Sequence, residues 1–176
     1  MRVGVDVGTG GAVRRQAIPL LYPPLFRTPH QANLFWPLSD AWGQVTMASS
    51  ILIVDDELMI RENLKAYLED EGMQVTAVES GEEALGCIKS GRSFAVCIMD
   101  MRLPGMDGNA SIRHLHALCP DMKFIVHTGS TDYALPSDLR QLGLSNAQVY
   151  LKPLLDMAPL AYMVRTLAQR SLRYQG

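Results

Sequence analysis

The sequence predicts an α/β protein: a doubly wound, five-stranded parallel sheet with helices on both faces. Short continuous apolar runs alternate with segments of helical period, a pattern typical of strands buried on both faces. Glycine or proline ends several of the helical segments. Because a crossover helix between successive strands makes those strands parallel, this alternation favours the parallel sheet.

Five apolar runs predict the strands. They cover residues 51–54, 73–78, 94–99, 123–127 and 148–151. Five helical segments follow them, at 56–71, from the cap at Ser80 to Gly91, around Ile112 up to Pro120, at 131–142, and from Asp156 onward. Pro136 interrupts the fourth of these segments, so we expect a weak helix there.

Composition excludes several classes of protein. The chain is 48% hydrophobic and 19% charged, which favours a packed core and excludes a disordered or fibrous chain. With a net charge of −2, the chain lacks the excess of basic residues that favours nucleic-acid binding. No apolar stretch reaches the roughly 20 residues that cross a bilayer, so we expect no membrane insertion and a cytoplasmic protein. Cys87, Cys97 and Cys119 lack metal-ligand spacing and are interpreted as reduced thiols.

A change in composition near residue 47 divides the chain in two. Residues 1–47 hold five of the ten prolines and both tryptophans. Because these prolines prevent regular pairing, we interpret residues 1–48 as an extended or disordered N-terminal segment. Met47 lies just before the first predicted strand, and we hypothesise that the start codon is misassigned and residues 1–46 are not native. Residues 49–174 are predicted to form the folded domain.

Polar side chains stand where four of the predicted strands end. Asp55 and Asp56 follow the first strand, Asp100 the third, Thr128 the fourth and Lys152 the fifth. The carboxyl ends of parallel strands share one edge of the sheet, where open α/β folds bind ligands. Three carboxylates there would repel one another, and Mg²⁺ relieves that repulsion. With a lysine and a hydroxyl to hold an anion, the set fits a phosphoryl group placed on a carboxylate.

Four stretches of the sequence resemble the receiver domain of two-component response regulators. They read ILIVDDE (51–57), CIMDMRLPGMDG (97–108), VHTGS (126–130) and YLKPL (150–154). Each lies at a predicted strand end and in the order of that family. The resemblance implies a flavodoxin-like (βα)5 fold with strand order 2-1-3-4-5, and it identifies residues 49–174 as the receiver domain.

The resemblance also implies a magnesium site. Asp55 and Asp56 resemble the acidic pair that binds Mg²⁺ in this family. Asp100 and the backbone carbonyl of Arg102 would complete the protein ligands. The only cofactor expected is therefore Mg²⁺.

The remaining site residues resemble those that handle the phosphoryl group. Asp100 resembles the phosphoacceptor, whose carboxylate takes a phosphoryl group from a phosphohistidine. Thr128 resembles the switch hydroxyl that moves to this group, and Lys152 the lysine that pairs with its oxygens. In this family a cis peptide precedes the following proline, here Pro153.

The resemblance implies a phosphorelay receiver and not a true enzyme. Its partner would be a sensor histidine kinase or a histidine phosphotransfer protein, and it would signal by altered binding to a downstream protein. The residues after Lys152 are too few for an output domain, so a stand-alone receiver is expected. The alternatives are a Mg²⁺-dependent phosphatase with an aspartyl nucleophile and a phosphorylation-independent interaction module. Arg102 disfavours the phosphatase, because such enzymes carry an acid two residues after the nucleophile.

Two positions depart from the family pattern or invite another interpretation. The aromatic switch residue common in the family would fall at Val149, and the tyrosine stands one residue later, at Tyr150. Strand alternation places these two side chains on opposite faces, so Tyr150 cannot simply substitute. His127, beside Thr128, is interpreted as a residue that packs within the sheet and not as a catalytic base.

Overall fold

The structure, a computed structural model, describes residues 50–172. The predicted N-terminal segment and the hypothesised start at Met47 lie outside these residues, as do residues 173–176. In the described part, no helix combines the length and apolar character needed to cross a membrane.

A single parallel sheet of five strands forms the centre of the described domain. Its strands are β1 (Ser50–Val54), β2 (Gln74–Val78), β3 (Val96–Asp100), β4 (Lys123–Thr128) and β5 (Val149–Leu151). They lie in the order β2-β1-β3-β4-β5. The predicted fold class and strand order are therefore confirmed.

Helices connect the strands as the sequence pattern predicts. They are α1 (Leu58–Asp70), α2 (Gly81–Lys89), α3 (Gly108–Leu118), α4 (Ser137–Gln141) and α5 (Ala158–Leu172), with one turn of 3-10 helix at Asn146–Gln148. The Ser80 side chain caps α2 by accepting a hydrogen bond from the backbone N–H of Glu83, as its sequence position indicates.

The fourth helix is shorter than predicted. We expected it over residues 131–142, but it begins after Pro136. Because proline disfavours helical backbone at the residue before it, the helix cannot readily include Leu135, and residues 131–132 form a turn instead. Residues 129–136 therefore form a long connection beside the carboxyl edge of the sheet, and the buried side chain of Leu135 anchors it.

The core has one layer on each face of the sheet. In β1, Ile51 and Ile53 pack against α1 and α5, whereas Leu52 and Val54 pack against α2, α3 and α4. This alternation follows from the two-residue period of a strand. It confirms that helices cover both faces of the sheet.

The start of α3 packs tightly against the end of β3, and Gly108 makes this possible. A Cβ atom at Gly108 would lie 2.2 Å from the carbonyl oxygen of Asp100 and 2.7 Å from the Cα of Met101. Backbone atoms cannot yield as a flexible side chain can. Gly86, in the exposed interior of α2, has no atom within 4 Å of such a Cβ.

We expect Gly108→Ala to destabilise the protein by about 1–3 kcal/mol or more, as overpacking does. Gly86→Ala is the matched control and should stabilise it by about 0.5–1 kcal/mol, because alanine favours helix. Urea denaturation of both variants measures these changes. Equal stability of the Gly108 variant and the wild type would contradict the tight contact.

Candidate functional site

Three carboxylates converge at the carboxyl edge of the sheet. Asp100 is the last residue of β3, and Asp55 and Asp56 directly follow β1. One oxygen of each lies within 4.8 Å of the others. Asp55 and Asp100 are buried, whereas Asp56 is exposed to solvent. The strands therefore bring together the three acids that the sequence places at their ends.

Lys152 is the cation of this cluster. Its Nζ lies 2.8 Å from Oδ2 of Asp55, 2.8 Å from Oδ2 of Asp100 and 3.1 Å from Oε1 of Glu57. Only 7% of the lysine side chain is exposed. One ammonium group therefore contacts two buried carboxylates and also the exposed carboxylate of Glu57.

Burial and ion pairing oppose each other at this contact. Burial disfavours the charge on Lys152, but hydrogen bonds to Asp100, Asp55 and Glu57 outweigh it and raise the pKa of the lysine. At Asp55 burial is the larger influence and raises the pKa of the carboxyl despite the hydrogen bond from Lys152. Removing the lysine charge would leave these acids without compensation.

Backbone groups orient the two buried acids. Oδ1 of Asp55 accepts a hydrogen bond from the Glu57 N–H at 3.0 Å, and Oδ1 of Asp100 accepts one from the Arg102 N–H at 3.1 Å. The carbonyl of Asp55 accepts a further hydrogen bond from the Arg61 guanidinium. Each acid thus has one oxygen held by the backbone and the other by Lys152.

Thr128, the last residue of β4, is fully buried. Its Oγ1 accepts a hydrogen bond from the Ser130 N–H at 3.2 Å, and its carbonyl accepts one from the Lys152 N–H at 2.8 Å. The peptide bond between Lys152 and Pro153 is cis, as the resemblance implies. Thr128 is therefore bonded through its carbonyl to the backbone of Lys152 and through its hydroxyl to the connection that leads to α4.

A second hydrogen-bond network involves residues just after Asp100 and Thr128, and the sequence did not reveal it. The Arg102 guanidinium donates to Oγ of Ser130 at 2.8 Å, and that hydroxyl donates to Asp132 at 2.8 Å. The hydrogen bond from Ser130 holds the pKa of Asp132 below its usual value. The network joins the segment after β3 to the segment after β4.

His127 is buried at the level of the two acids. Its Nδ1 lies 3.8 Å from Oδ2 of Asp55. Within the described residues neither ring nitrogen has a hydrogen-bond partner. Burial, and next the charge of Lys152, lower the pKa of His127 to about 4. The imidazole is thus packed in the sheet, as expected, but it also adjoins the acidic cluster.

The two residues that depart from the family pattern lie on opposite faces of the sheet. Val149 packs in the layer of α2, α3 and α4. Tyr150 packs in the layer of α1 and α5, and its hydroxyl donates to the carbonyl of Pro159 at 3.1 Å. The Tyr150 ring is therefore held against α5, away from the layer of Val149.

The donor set fits a hard divalent cation. The three acids offer only oxygen ligands, and carboxylate oxygens are what Mg²⁺ prefers. Asp56 also lies open to solvent, which suits a cation that keeps several waters. On geometry and donor chemistry, Asp55, Asp56 and Asp100 are the residues that could hold such an ion.

A family model described as the response regulator receiver domain matches residues 51–157. The chain therefore belongs to the response regulator receiver domain family. Receiver domains of this family operate in two-component systems.

Curated relatives of the chain include proteins named as regulators. Response regulator MprA of Mycolicibacterium vanbaalenii is 32% identical over 131 residues, which cover 74% of this chain and 54% of that protein. The C4-dicarboxylate transport transcriptional regulatory protein DctD of Rhizobium meliloti is 37% identical over 89 residues, which cover 50% of this chain and 19% of that protein. The chain thus spans about half or less of the length of these relatives.

Solved structures of receivers share the fold. A CheY-like receiver domain protein from Methanospirillum hungatei has a TM-score of 0.60 and 29% identity, with 72% of this chain and 98% of that chain covered. The response regulator TrrA of Thermotoga maritima, solved in complex with Mg²⁺ and BeF, has a TM-score of 0.57 and 32% identity over 68% of this chain and 98% of that one.

The buried His127 makes folding stability depend on pH. Its pKa falls from 6.5 to about 4 on folding, so between these values the unfolded chain binds more protons than the folded protein. Stability is therefore lost as the pH falls through this range, by up to about 3 kcal/mol. The raised pKa of Asp55 acts in the opposite sense, since there the folded protein binds the proton more readily.

We expect His127→Leu to remove this acid-induced loss, because leucine fills the site without a titrating group. Denaturant unfolding with divalent cations chelated, at about pH 7 and about pH 4.5, measures it for both proteins. The wild type should lose more stability than the variant between these conditions. The same loss in both would contradict a buried, neutral imidazole.

Proposed function

We propose that residues 50–172 accept a phosphoryl group from a phosphohistidine onto Asp100 and signal through the resulting change in structure. The observation that carries the proposal is the contact of Lys152 Nζ, at 2.8 Å, with both Asp55 and Asp100. Membership of the receiver family supports it. The proposal concerns the receiver only, since the curated relatives are longer proteins.

Asp55, Asp56, Asp100 and the backbone carbonyl of Arg102 are the groups proposed to hold Mg²⁺. Bound there, the ion would neutralise part of the negative charge and orient the oxygens of the incoming phosphoryl group. The convergence of three acid oxygens within 4.8 Å supports this assignment. The TrrA structure, described as a complex with Mg²⁺ and BeF, supports it by similarity.

Asp100 is proposed as the nucleophile. A bond forms between its carboxylate oxygen and phosphorus while the bond from phosphorus to the donor imidazole nitrogen breaks. The imidazole nitrogen keeps the electron pair and leaves neutral when the second ring nitrogen carries a proton. A carboxylate has no proton to lose and so needs no base, and hydrogen bonds from Lys152 and the Arg102 N–H orient it.

Lys152 and Thr128 are proposed to hold the phosphoryl group after transfer. The ammonium, now shared among three acids, can turn to a phosphoryl oxygen without leaving the site. The Thr128 hydroxyl would exchange its hydrogen bond with Ser130 N–H for one that it donates to the phosphoryl group. That exchange would loosen the connection between β4 and α4.

Exposed apolar side chains border the site and suit a protein donor. Leu58 and Met59 at the start of α1 are 59% and 70% exposed, and Leu155 after the cis proline is fully open to solvent. We propose this rim as the docking face for a sensor histidine kinase or a histidine phosphotransfer protein. Some relatives are themselves named histidine kinases. Histidine kinase 2 of Arabidopsis thaliana, for example, contains a stretch that is 38% identical to 76 residues of this chain.

The downstream partner is proposed to bind the face formed by α4, β5 and α5. Leu151 and Tyr162 lie exposed on β5 and α5. This face adjoins the connection that Thr128 holds through Ser130. The net charge of −2 favours a protein partner over nucleic acid.

Phosphorylation of Asp100 is tested with acetyl phosphate and Mg²⁺ by intact-mass spectrometry. We expect one phosphoryl adduct, which chelation of Mg²⁺ prevents. Asp100→Asn should form none. Asp107→Asn is the matched control, because Asp107 caps α3 nearby and asparagine caps as well.

Two outcomes would contradict the receiver. An adduct that persists in Asp100→Asn would place the acceptor elsewhere. Rapid multiple turnover of unrelated phosphomonoesters would support the phosphatase alternative. Arg102 argues against turnover, because such enzymes carry an acid two residues after the nucleophile. Here that residue is an arginine, whose side chain donates a hydrogen bond to Ser130.

A further inference from the structure

The imidazole of His127 is costly for a residue that only packs. It is 3% exposed, and neither ring nitrogen has a hydrogen-bond partner in the described chain. A buried donor or acceptor without a partner destabilises the folded protein. The preceding residues of β4, such as Ile125 and Val126, are apolar and avoid this cost. An imidazole at this position therefore indicates a use other than packing.

Asp55 offers the ring an oxygen that can accept another hydrogen bond. Nδ1 of His127 lies 3.8 Å from Oδ2 of Asp55, beyond hydrogen-bond distance. That oxygen now accepts from Lys152 Nζ at 2.8 Å. A carboxylate oxygen has room for two donors. The charges of Lys152, Asp100 and Glu57 also act on the ring, and the Asp55 carboxylate adjoins it.

The proposed phosphorylation takes the lysine away from Asp55. When the Lys152 ammonium turns to a phosphoryl oxygen on Asp100, Oδ2 of Asp55 loses its 2.8 Å donor. Asp55 is 1% exposed, so water cannot easily replace that donor. Its other oxygen, Oδ1, is already held by the Glu57 N–H. A shift of about 1 Å would bring the imidazole into hydrogen-bond range.

We infer that His127 is a positioning residue, which donates from Nδ1–H to Oδ2 of Asp55 once Lys152 engages the phosphoryl group. This inference rests on the proposed function. It gives Asp55 a second hydrogen bond that fixes its orientation toward the metal. Groups that hydrogen-bond to metal ligands in this way typically change metal affinity by about 10–100-fold.

Nitrogen NMR of the histidine ring tests the contact directly. The full chain, labelled with ¹⁵N-histidine, is compared free and with Mg²⁺ and beryllofluoride, the combination named for the TrrA complex. We expect His127 in the loaded state as the neutral Nδ1–H form, with a slowly exchanging ring proton. A neutral ring with its proton on Nε2 in the loaded state would overturn the inference.

Affinity for Mg²⁺ and beryllofluoride, measured by calorimetry, gives the second readout. We expect His127→Leu to weaken it by about 10-fold or more. His127→Asn should recover most of the loss, because its amide nitrogen falls near the position of Nδ1. His127→Gln is the matched control and should recover little. The amide nitrogen of glutamine falls near the place that Nε2 occupies in the wild type, and not near that of Nδ1. Circular dichroism confirms that each variant is folded.

The outcomes separate this inference from the proposed function. Wild-type affinity in His127→Leu would overturn the positioning role and leave phosphorylation of Asp100 intact. Equal recovery by asparagine and glutamine would also overturn it, because a donor at Nδ1 would then have no special value. Failure of the wild type to bind Mg²⁺ and beryllofluoride would overturn both.

Discussion

The ion pair of Lys152 with Asp55 and Asp100 is the interaction on which the site depends. Two buried carboxylates near each other are unfavourable without a cation, and the ammonium of Lys152, the residue directly after β5, contacts both. The strand order makes this possible, because β1, β3, β4 and β5 all point their carboxyl ends to one edge. The same lysine contacts Glu57 at the rim, so its charge is already shared among three acceptors. A group held in this way can change partners without leaving the site.

The connection after β4 links the site to the surface through several hydrogen bonds. Thr128 accepts from the N–H of Ser130, and the Ser130 hydroxyl accepts from Arg102. Further along, the Tyr133 hydroxyl donates to a side chain of α3 at 2.8 Å. Val149 supplies no aromatic ring on that face. Residues 129–136 are thus tied by hydrogen bonds to the segment after β3 and to α3, and residue 149 contributes no aromatic ring beside them.

Local sequence patterns were enough to predict the sheet and to place Asp55, Asp56, Asp100, Thr128 and Lys152 at one edge of it. Apolar runs mark buried strands, and in parallel sheets the residues that follow them share one edge. The fourth helix was predicted over 131–142, but Pro136 delays its start. The contacts of Glu57 with Lys152 and of Arg102 with Ser130 could not be predicted. They join residues far apart in sequence through flexible side chains, whose directions depend on loop geometry and not on periodicity.

A crystal structure of the full chain with Mg²⁺ and beryllofluoride tests the central claim most directly. We expect the cation among Asp55, Asp56 and Asp100, and the beryllium on a carboxylate oxygen of Asp100. Lys152 should then have moved from Asp55 to a fluoride, with Thr128 bonded to another. A cation bound away from these acids, or a lysine that still bridges Asp55 and Asp100 while beryllofluoride sits elsewhere, would contradict the account.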